Sequence, residues 1–269
     1  MILPPVVDSV GAACAHVLMT ADPTAKLMAA RAAARTWRLG KLARRFDAVM
    51  PDRPARPETP LLLPPNQMPK RGKIGSERAR IAMLHALAHI EFVAIDLAFD
   101  LIGRFGAEFP RAFVDDWMRV GADEAMHFAL LDRRLKQLGS HYGALPAHDG
   151  LWQAAGETAH DAMARLAIVP MVLEARALDI TPATIERFEG AGDKRSAFML
   201  QRIMTDEIRH VAAGTIWFGH ATNRAGVDPA NHYQILVKRH FRGALKPPFN
   251  DSARAKAGLT REFYAALAE

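Results

Sequence analysis

The sequence predicts an all-α protein, a four-helix bundle with extra N-terminal and C-terminal helical segments. Three observations carry that expectation. Apolar residues recur at helical spacing through the middle of the chain, and no stretch alternates long enough for a sheet. Glycine-containing turns divide this region into long segments of hairpin length. Charged and imidazole side chains then repeat in the two hairpins at one fixed offset, as set out below.

Taken in order, residues 1 to about 50 are expected to be helical, rich in Ala, Leu, Met and Arg, with a helix start at Asp22-Pro23. Seven prolines between Pro51 and Pro69 preclude a regular helix there, so an extended strap follows. Ser76 is a good N-cap for a first long helix, periodic from Ile81 to Phe105. Gly106 to Pro110 breaks it. A second helix covers Arg111–Leu138, with Phe113, Trp117, Val120, Phe128, Leu131 and Leu135 at helical spacing. A third is expected from Leu151 to Asp179, kinked by Pro170 and ended by Thr181-Pro182. A fourth follows the Gly190-Ala191-Gly192 turn and reaches about His220. Shorter helices are expected over Pro229–Phe241 and Ser252–Leu267. The chain thus reads as an N-terminal segment and strap (1–70), a four-helix core (71–220) and a C-terminal extension packed on it (221–269).

The second helix carries Asp123-Glu124-Ala125-Met126-His127 and the fourth carries Asp206-Glu207-Ile208-Arg209-His210, one D-E-x-x-H pattern twice. Positions i and i+3 share a helix face, so each pattern aims one carboxylate and one imidazole at a single point. That is how carboxylate-bridged metal pairs are built inside helical bundles. The first and third helices add Glu91 and Glu174 within a shared E-x-x-A-[IL]-D pattern ending at Asp96 and Asp179. An offset of 83 residues relates Glu91 to Glu174, Glu124 to Glu207 and His127 to His210, which marks an internal duplication of a helical hairpin. Within each half the glutamates are 33 residues apart and centred on the turn, so antiparallel helices set them at one height.

With 12 Glu and 11 His, a lone E-x-x-H match arises by chance about as often as not, and Glu157 to His160 is such a match. His160 precedes Glu174 by 14 residues, about 21 Å along a helix, and cannot serve the same centre. Two matches, each preceded by Asp and each with a partner glutamate, are another matter. The metal ligands read from the sequence are therefore Glu91, Glu124, His127, Glu174, Glu207 and His210. Glu91 and His127 would hold one metal and Glu174 and His210 the other, with Glu124 and Glu207 bridging. A ligating histidine usually donates its second N–H to a carboxylate, and Asp123 and Asp206 are the candidates, each for the histidine of the facing helix. His85 and His89 read as core hydrogen-bonding groups.

Composition narrows the class. At 50% hydrophobic and 24% charged, the 269 residues suit a globular protein with a substantial core. No continuous apolar run reaches the roughly 18 residues of a spanning helix and no secretory leader is read, so no membrane role and a soluble cytoplasmic protein are expected. The single cysteine, Cys14, excludes an intrachain disulfide and reads as a buried thiol. A net charge of +6 admits an anionic partner without requiring one.

On these residues the chain resembles the ferritin-like di-iron carboxylate superfamily. Met171 to Pro182 (MVLEARALDITP), with Pro248-Phe249-Asn250, Ala253-Arg254 and Ala257-Gly258, is similar to domain-of-unknown-function family 455. The resemblance covers the chain from about Ile74 onward and implies the ferritin-like bundle and its metal ligands, but no substrate. The leading expectation is an O2-dependent oxidase or monooxygenase with two iron ions, manganese or a mixed pair being alternatives, an unknown small-molecule substrate and an unknown electron donor. Metal storage or detoxification and a metal-stabilised interaction protein are the alternatives, and a homodimer is compatible with all three. A tyrosyl-radical role fits less well, because Tyr142, Tyr233 and Tyr264 lie outside the four helices. Likeness to tRNA-modifying hydroxylases adds a nucleic-acid substrate as a subordinate expectation, with Arg31, Arg35, Arg38, Lys41, Arg44 and Arg45 as its candidate face.

Overall fold

The computed structural model describes residues 7–69 and 75–268. Parts of the N-terminal segment and strap (residues 1–6 and 70–74) and residue 269 lie outside the described residues. The fold is all-α, and among the described residues only isolated bridges pair extended backbone. The helices are α1 (Val10–Leu18), α2 (Pro23–Arg38), α3 (Glu77–Phe105), α4 (Arg111–Gln137), α5 (Gly150–Glu157), α6 (Ala162–Ile168), α7 (Ala175–Gly190), α8 (Lys194–Ala225), α9 (Pro229–His240), α10 (Asp251–Lys256) and α11 (Arg261–Tyr264). A π-helical turn, Val169–Glu174, joins α6 to α7.

Most of the expected starts are capped as the residues suggest. Ser76 Oγ accepts the Ala79 N–H at 3.2 Å, Asp22 Oδ1 accepts that of Ala25 at 2.8 Å, and Asp228 Oδ1 accepts that of Asn231 at 2.8 Å. Four expectations are corrected. Residues 39–50 are not helical: Gly40, at φ 67°, ends α2 in the left-handed region that suits glycine. The third helix is broken, because Asp161 accepts the N–H groups of both Met163 and Ala164 and so starts α6 afresh. The last expected helix is split into α10 and α11 at Gly258, φ 75°. The fourth long helix runs beyond His220 to Ala225 before Gly226 caps it at φ 68°.

Proline is handled differently from the sequence expectation at two places. Pro170 is absorbed in the π turn, where the Ala175 N–H donates to Pro170 and Val172 and the Tyr233 hydroxyl donates to the intervening Met171 carbonyl at 3.2 Å. Pro182 does not end α7. Its missing N–H would deprive the Leu178 carbonyl of its i+4 donor, and Asn250 Nδ2 donates to that carbonyl instead, at 3.1 Å.

The chain packs as two compact units. One comprises Met1–Pro64 and His85–His148, the other Pro65–Leu84 and Asp149–Glu269. In the first, α4 packs against α2 and α2 against α1, while Phe92, Phe99, Phe113, Trp117 and Phe128 fill the interior. Burying each such ring contributes about 1.5–3 kcal/mol. Gly121 lets the Phe99 ring approach α4, since an added Cβ would lie 2.6 Å from it. The proline-rich strap is irregular, as expected, and is tied down by Ala55 N–H to the Leu18 carbonyl and Leu63 N–H to the Ala147 carbonyl. Cys14 is buried, and burial pushes its thiol up, out of the reactive range.

In the second unit, α7 and the π turn pack on α8, α6 on α8 and α9, and α10 and α11 cover the C-terminal side through α8 and α9. Gly214 of α8 faces the π turn so closely that a Cβ there would lie 2.5 Å from Pro170 Cβ. Gly214→Ala is therefore expected to lower unfolding stability by about 1–3 kcal/mol. Gly219→Ala, on the same helix with nothing within 4 Å of the new Cβ, is expected to be neutral or mildly stabilising. Denaturant unfolding of the two variants checks the contrast.

One helix, Glu77–Phe105, is long and apolar enough to cross a membrane by length and composition, with a mean window hydropathy of 1.6, where no such run was expected. Two-thirds of that window (67%) is buried within the protein, and its apolar side chains form core.

Candidate metal centre

The first unit supplies one half of the expected constellation. Glu91 sits on α3, and Glu124 and His127 sit one turn apart on α4. Helical spacing brings the α4 pair onto one face, and the α3–α4 hairpin brings Glu91 to it. His127 Nδ1 lies 3.4 Å from Glu124 Oε2 and 3.4 Å from Glu91 Oε2. All three residues are buried, and their ligand atoms lie within 4.8 Å of one another. This is a cluster able to hold a metal ion.

Its electrostatics are those of a site that a cation would neutralise. Burial first, and then the charge of Glu124, push the Glu91 carboxyl well above its ordinary range. Burial alone would lower His127, but its hydrogen bonds to Glu124 and Glu91 and their charges raise it to about 11. Without a metal, protons must neutralise the cluster, and a divalent cation would take over that role with release of protons.

The second unit repeats the arrangement at the 83-residue offset. Arg111 and Lys194, which begin α4 and α8, are themselves related by that offset. Glu207 and His210 lie on α8, with His210 Nδ1 3.5 Å from Glu207 Oε1. Glu174 closes the π turn that packs on the same helix, and all three are buried. Glu91 sits in a regular helix, while Glu174 ends the widened turn that Pro170 occupies.

Of the two aspartates expected to orient the histidines, Asp206 is buried and bound by two arginines of its own helix, Arg202 Nε at 3.2 Å and Arg209. Asp123 is half-buried on the face of α4 turned to α2. Glu157 pairs with Arg242 at 2.7 Å, while His160 is exposed beside the His240 ring, in keeping with a structural role for that third match.

Two features escaped the sequence reading. Tyr142 lies outside the helices in the chain, yet its loop folds back so that its ring packs 5.3 Å from Phe92 and 5.0 Å from Phe128. These residues directly follow Glu91 and His127. Burial pushes the phenol up, so Tyr142 keeps its proton, and its hydroxyl is hydrogen-bonded to His89 Nδ1 at 2.9 Å; burial and Arg56 push His89 down to about 4, leaving it neutral. The loop is fixed by His85 Nε2, which accepts the N–H groups of Gly143 at 3.0 Å and Leu145 at 3.4 Å. The i, i+4 spacing of His85 and His89 was the only signal of this.

Burial, with a smaller contribution from His141, pushes His85 down to about 4. The unfolded imidazole takes a proton near pH 6.5, and the folded one refuses it until about pH 4, so acidification through that window favours the unfolded chain. The His85 contribution is expected to lower stability by about 2 kcal/mol at pH 5 relative to pH 8, and to saturate below pH 4. Denaturant midpoints against pH for the parent and His85→Gln, which lacks this dependence, check it.

The second missed feature is the role of the duplicated aspartates. Asp96, fully buried five residues after Glu91, receives Lys26 of α2 and Arg56 of the strap, and Lys26 Nζ also reaches the Leu18 carbonyl at 3.3 Å. Both cations lie over the Phe92 ring. Asp179, five residues after Glu174, receives Arg254 in a two-pronged bond at 2.8 and 2.7 Å and accepts the Asn250 N–H at 2.9 Å. In each unit the terminal segment is latched to the helix bearing the glutamate.

Comparison with known proteins identifies relatives of the chain but no activity. Residues 19–265 match the family described as "Protein of unknown function (DUF455)". A Haemophilus influenzae relative described as "Uncharacterized protein" is 41% identical over 211 residues, covering 76% of this chain and 73% of that one. No solved structure matches.

Proposed function

The chain belongs to the DUF455 family, and from that premise we propose that it is a ferritin-like dimetal carboxylate protein that oxidises an organic substrate with O2. The observation that carries the reading is the buried Glu91–Glu124–His127 cluster, recurring in sequence as Glu174–Glu207–His210. In this proposal the ligand set is drawn from both halves of the duplication. Glu91 and His127 would hold one metal and Glu174 and His210 the second, with Glu124 and Glu207 as the shared carboxylates.

The donors fit the group: four carboxylates and two imidazoles suit iron and manganese alike. When bound, a pair of iron ions supplies the redox chemistry that activates O2. The chain's own residues do the rest. The clustered carboxylates give up their protons as the cation enters, and His127 must lose the proton that the metal-free cluster holds on it. The latches at Asp96 and Asp179 hold terminal segments over the glutamate-bearing helices, an investment suited to a covered substrate site rather than an open storage surface.

The test is elemental analysis of the purified chain beside Glu207→Ala/His210→Ala, followed by O2 added to anaerobic, ferrous-loaded protein in an optical spectrometer. About two metals per chain in the parent, lost in the variant, with an optical change that depends on O2, is the expected outcome. Absence of stoichiometric metal would sink the site. Tight metal with no response to O2 would favour the interaction-protein alternative.

A further inference from the structure

The face of the first unit where α2 packs on α4 carries a groove of about 1060 Å³. Five arginines line it: Arg31, Arg35 and Arg38 from α2, Arg111 and Arg119 from α4. The α2 residues follow i, i+4, i+7 spacing and so form one row, about 10 Å long. Arg111 and Arg119 form a second row of about 12 Å. All five are exposed, and among the described residues Arg31, Arg35, Arg38 and Arg119 have no carboxylate at ion-pair distance.

The groove is built as well as charged. Arg111 stacks 4.1 Å from the Trp37 ring, whose Nε1 donates to Asp115 at 2.7 Å, and Asp115 in turn lies 3.8 Å from Arg111 Nε. Asp115, though exposed, is thus partnered within the chain. Asp123, the other acid of the lining, is half-buried and engaged within the chain. Concave guanidinium rows, four of whose five members here lack a carboxylate partner among the described residues, focus positive potential and hold phosphate oxygens through paired N–H donors. Of the six basic residues marked out in the sequence, Arg44 and Arg45 do other work: Arg44 donates to the Gly106 and Phe109 carbonyls, and Arg45 pairs with Asp8 and Asp47. Arg111 and Arg119 take their place.

We propose that this groove binds the phosphate backbone of a single-stranded nucleic acid. The dimensions favour a strand over a small anion: each row, about 10 to 12 Å long, is long enough to meet more than one phosphate of a strand, whereas a small anion would engage only part of it. Met28 and Leu39, 58% and 54% exposed at the groove, offer apolar contact to bases. Trp37 is buried and presents no stacking platform, so recognition rests on the backbone, tolerates any sequence and weakens with salt. Nothing in this inference depends on a bound metal.

Fluorescence anisotropy of a labelled, mixed-sequence 12-nucleotide RNA, titrated with the full chain at several salt concentrations, tests it. The parent is expected to bind at low salt. Arg31→Ala/Arg35→Ala/Arg38→Ala should reduce the slope of log affinity against log salt by about 2, at about 0.7 per lost phosphate contact. A second variant, Arg195→Ala/Lys238→Ala/Arg239→Ala, removes the same charge from exposed residues of the other unit and should leave the slope unchanged. Equal losses in the two variants would reduce the effect to net charge and overturn the groove. Absence of binding by the parent, or displacement of the RNA by polyglutamate as readily as by unlabelled RNA, would overturn it as well.

Discussion

Glu124→Gln is expected to yield a protein that is more stable than the parent in chelator and less stable than the parent in saturating metal. Glu124 is 1% exposed, and after burial its charge is the next cause holding the Glu91 carboxyl above its ordinary range. A neutral amide of the same shape removes that repulsion from the metal-free cluster, so the variant is expected to gain about 1 kcal/mol in chelator. It also removes a ligand proposed to bridge both metals. Metal at 100 times its dissociation constant stabilises the parent by about 2.7 kcal/mol, and the variant should show none of that increment. Anaerobic thermal unfolding of both proteins with chelator, ferrous iron and manganous ion gives the four comparisons needed. A variant less stable under every condition would mean that Glu124 is a structural hydrogen-bonding group, and the metal reading of the cluster would fall with it.

The sequence made the duplicated pattern legible because helical spacing alone converts i and i+3 into a shared face. Glu124 and His127 needed only a regular helix to meet, and α4 is regular from Arg111 to Gln137. Glu174 was less readable. Its place depends on the π turn at Pro170, and whether a proline kinks a helix or is absorbed depends on what supplies the displaced hydrogen bonds, here Tyr233 from 62 residues away. Pro182 teaches the same lesson, since the donor that keeps α7 continuous is Asn250. Local pattern cannot show long-range donors. The break at Thr158–Asp161, by contrast, was available in the sequence: Asp161 before Ala162 and Met163 is an N-cap signal, masked by the apolar periodicity on both sides.

The appended segments show the limit most clearly. Read alone, the arginines after residue 30 look like a uniform basic face; in the structure they divide into a groove row and two side chains that satisfy backbone and carboxylates. Lys26, the one basic residue of α2 with a fully buried side chain, was indistinguishable in the sequence from its solvated neighbours. The duplication did hold the clue, because Asp96 and Asp179 recur at the 83-residue offset along with the glutamates. An aspartate conserved between the two halves of one chain without a position on the ligand face has to answer some other charge.

That pairing predicts a large loss of stability. Asp96→Ala leaves Lys26, with no solvent exposure, facing Arg56 without a counter-ion, and removal of one partner from a buried pair costs about 3–5 kcal/mol. Burial already lowers the Lys26 pKa more than anything else around it, so the variant is expected to lose much of that penalty only where the lysine can deprotonate, and its deficit should shrink at alkaline pH. Asp179→Ala should cost a similar amount but without that relief, because Arg254, 2% exposed in its side chain, holds its proton throughout. Lys26→Met/Asp96→Leu replaces both partners with apolar groups and should recover most of the loss, since desolvation of the pair offsets much of its attraction. Denaturant unfolding at pH 7 and pH 9.5 separates these cases. If the double variant were as unstable as Asp96→Ala, the essential contact would be the bond from Arg56 to Asp96, and the strap rather than α2 would be the element that Asp96 secures.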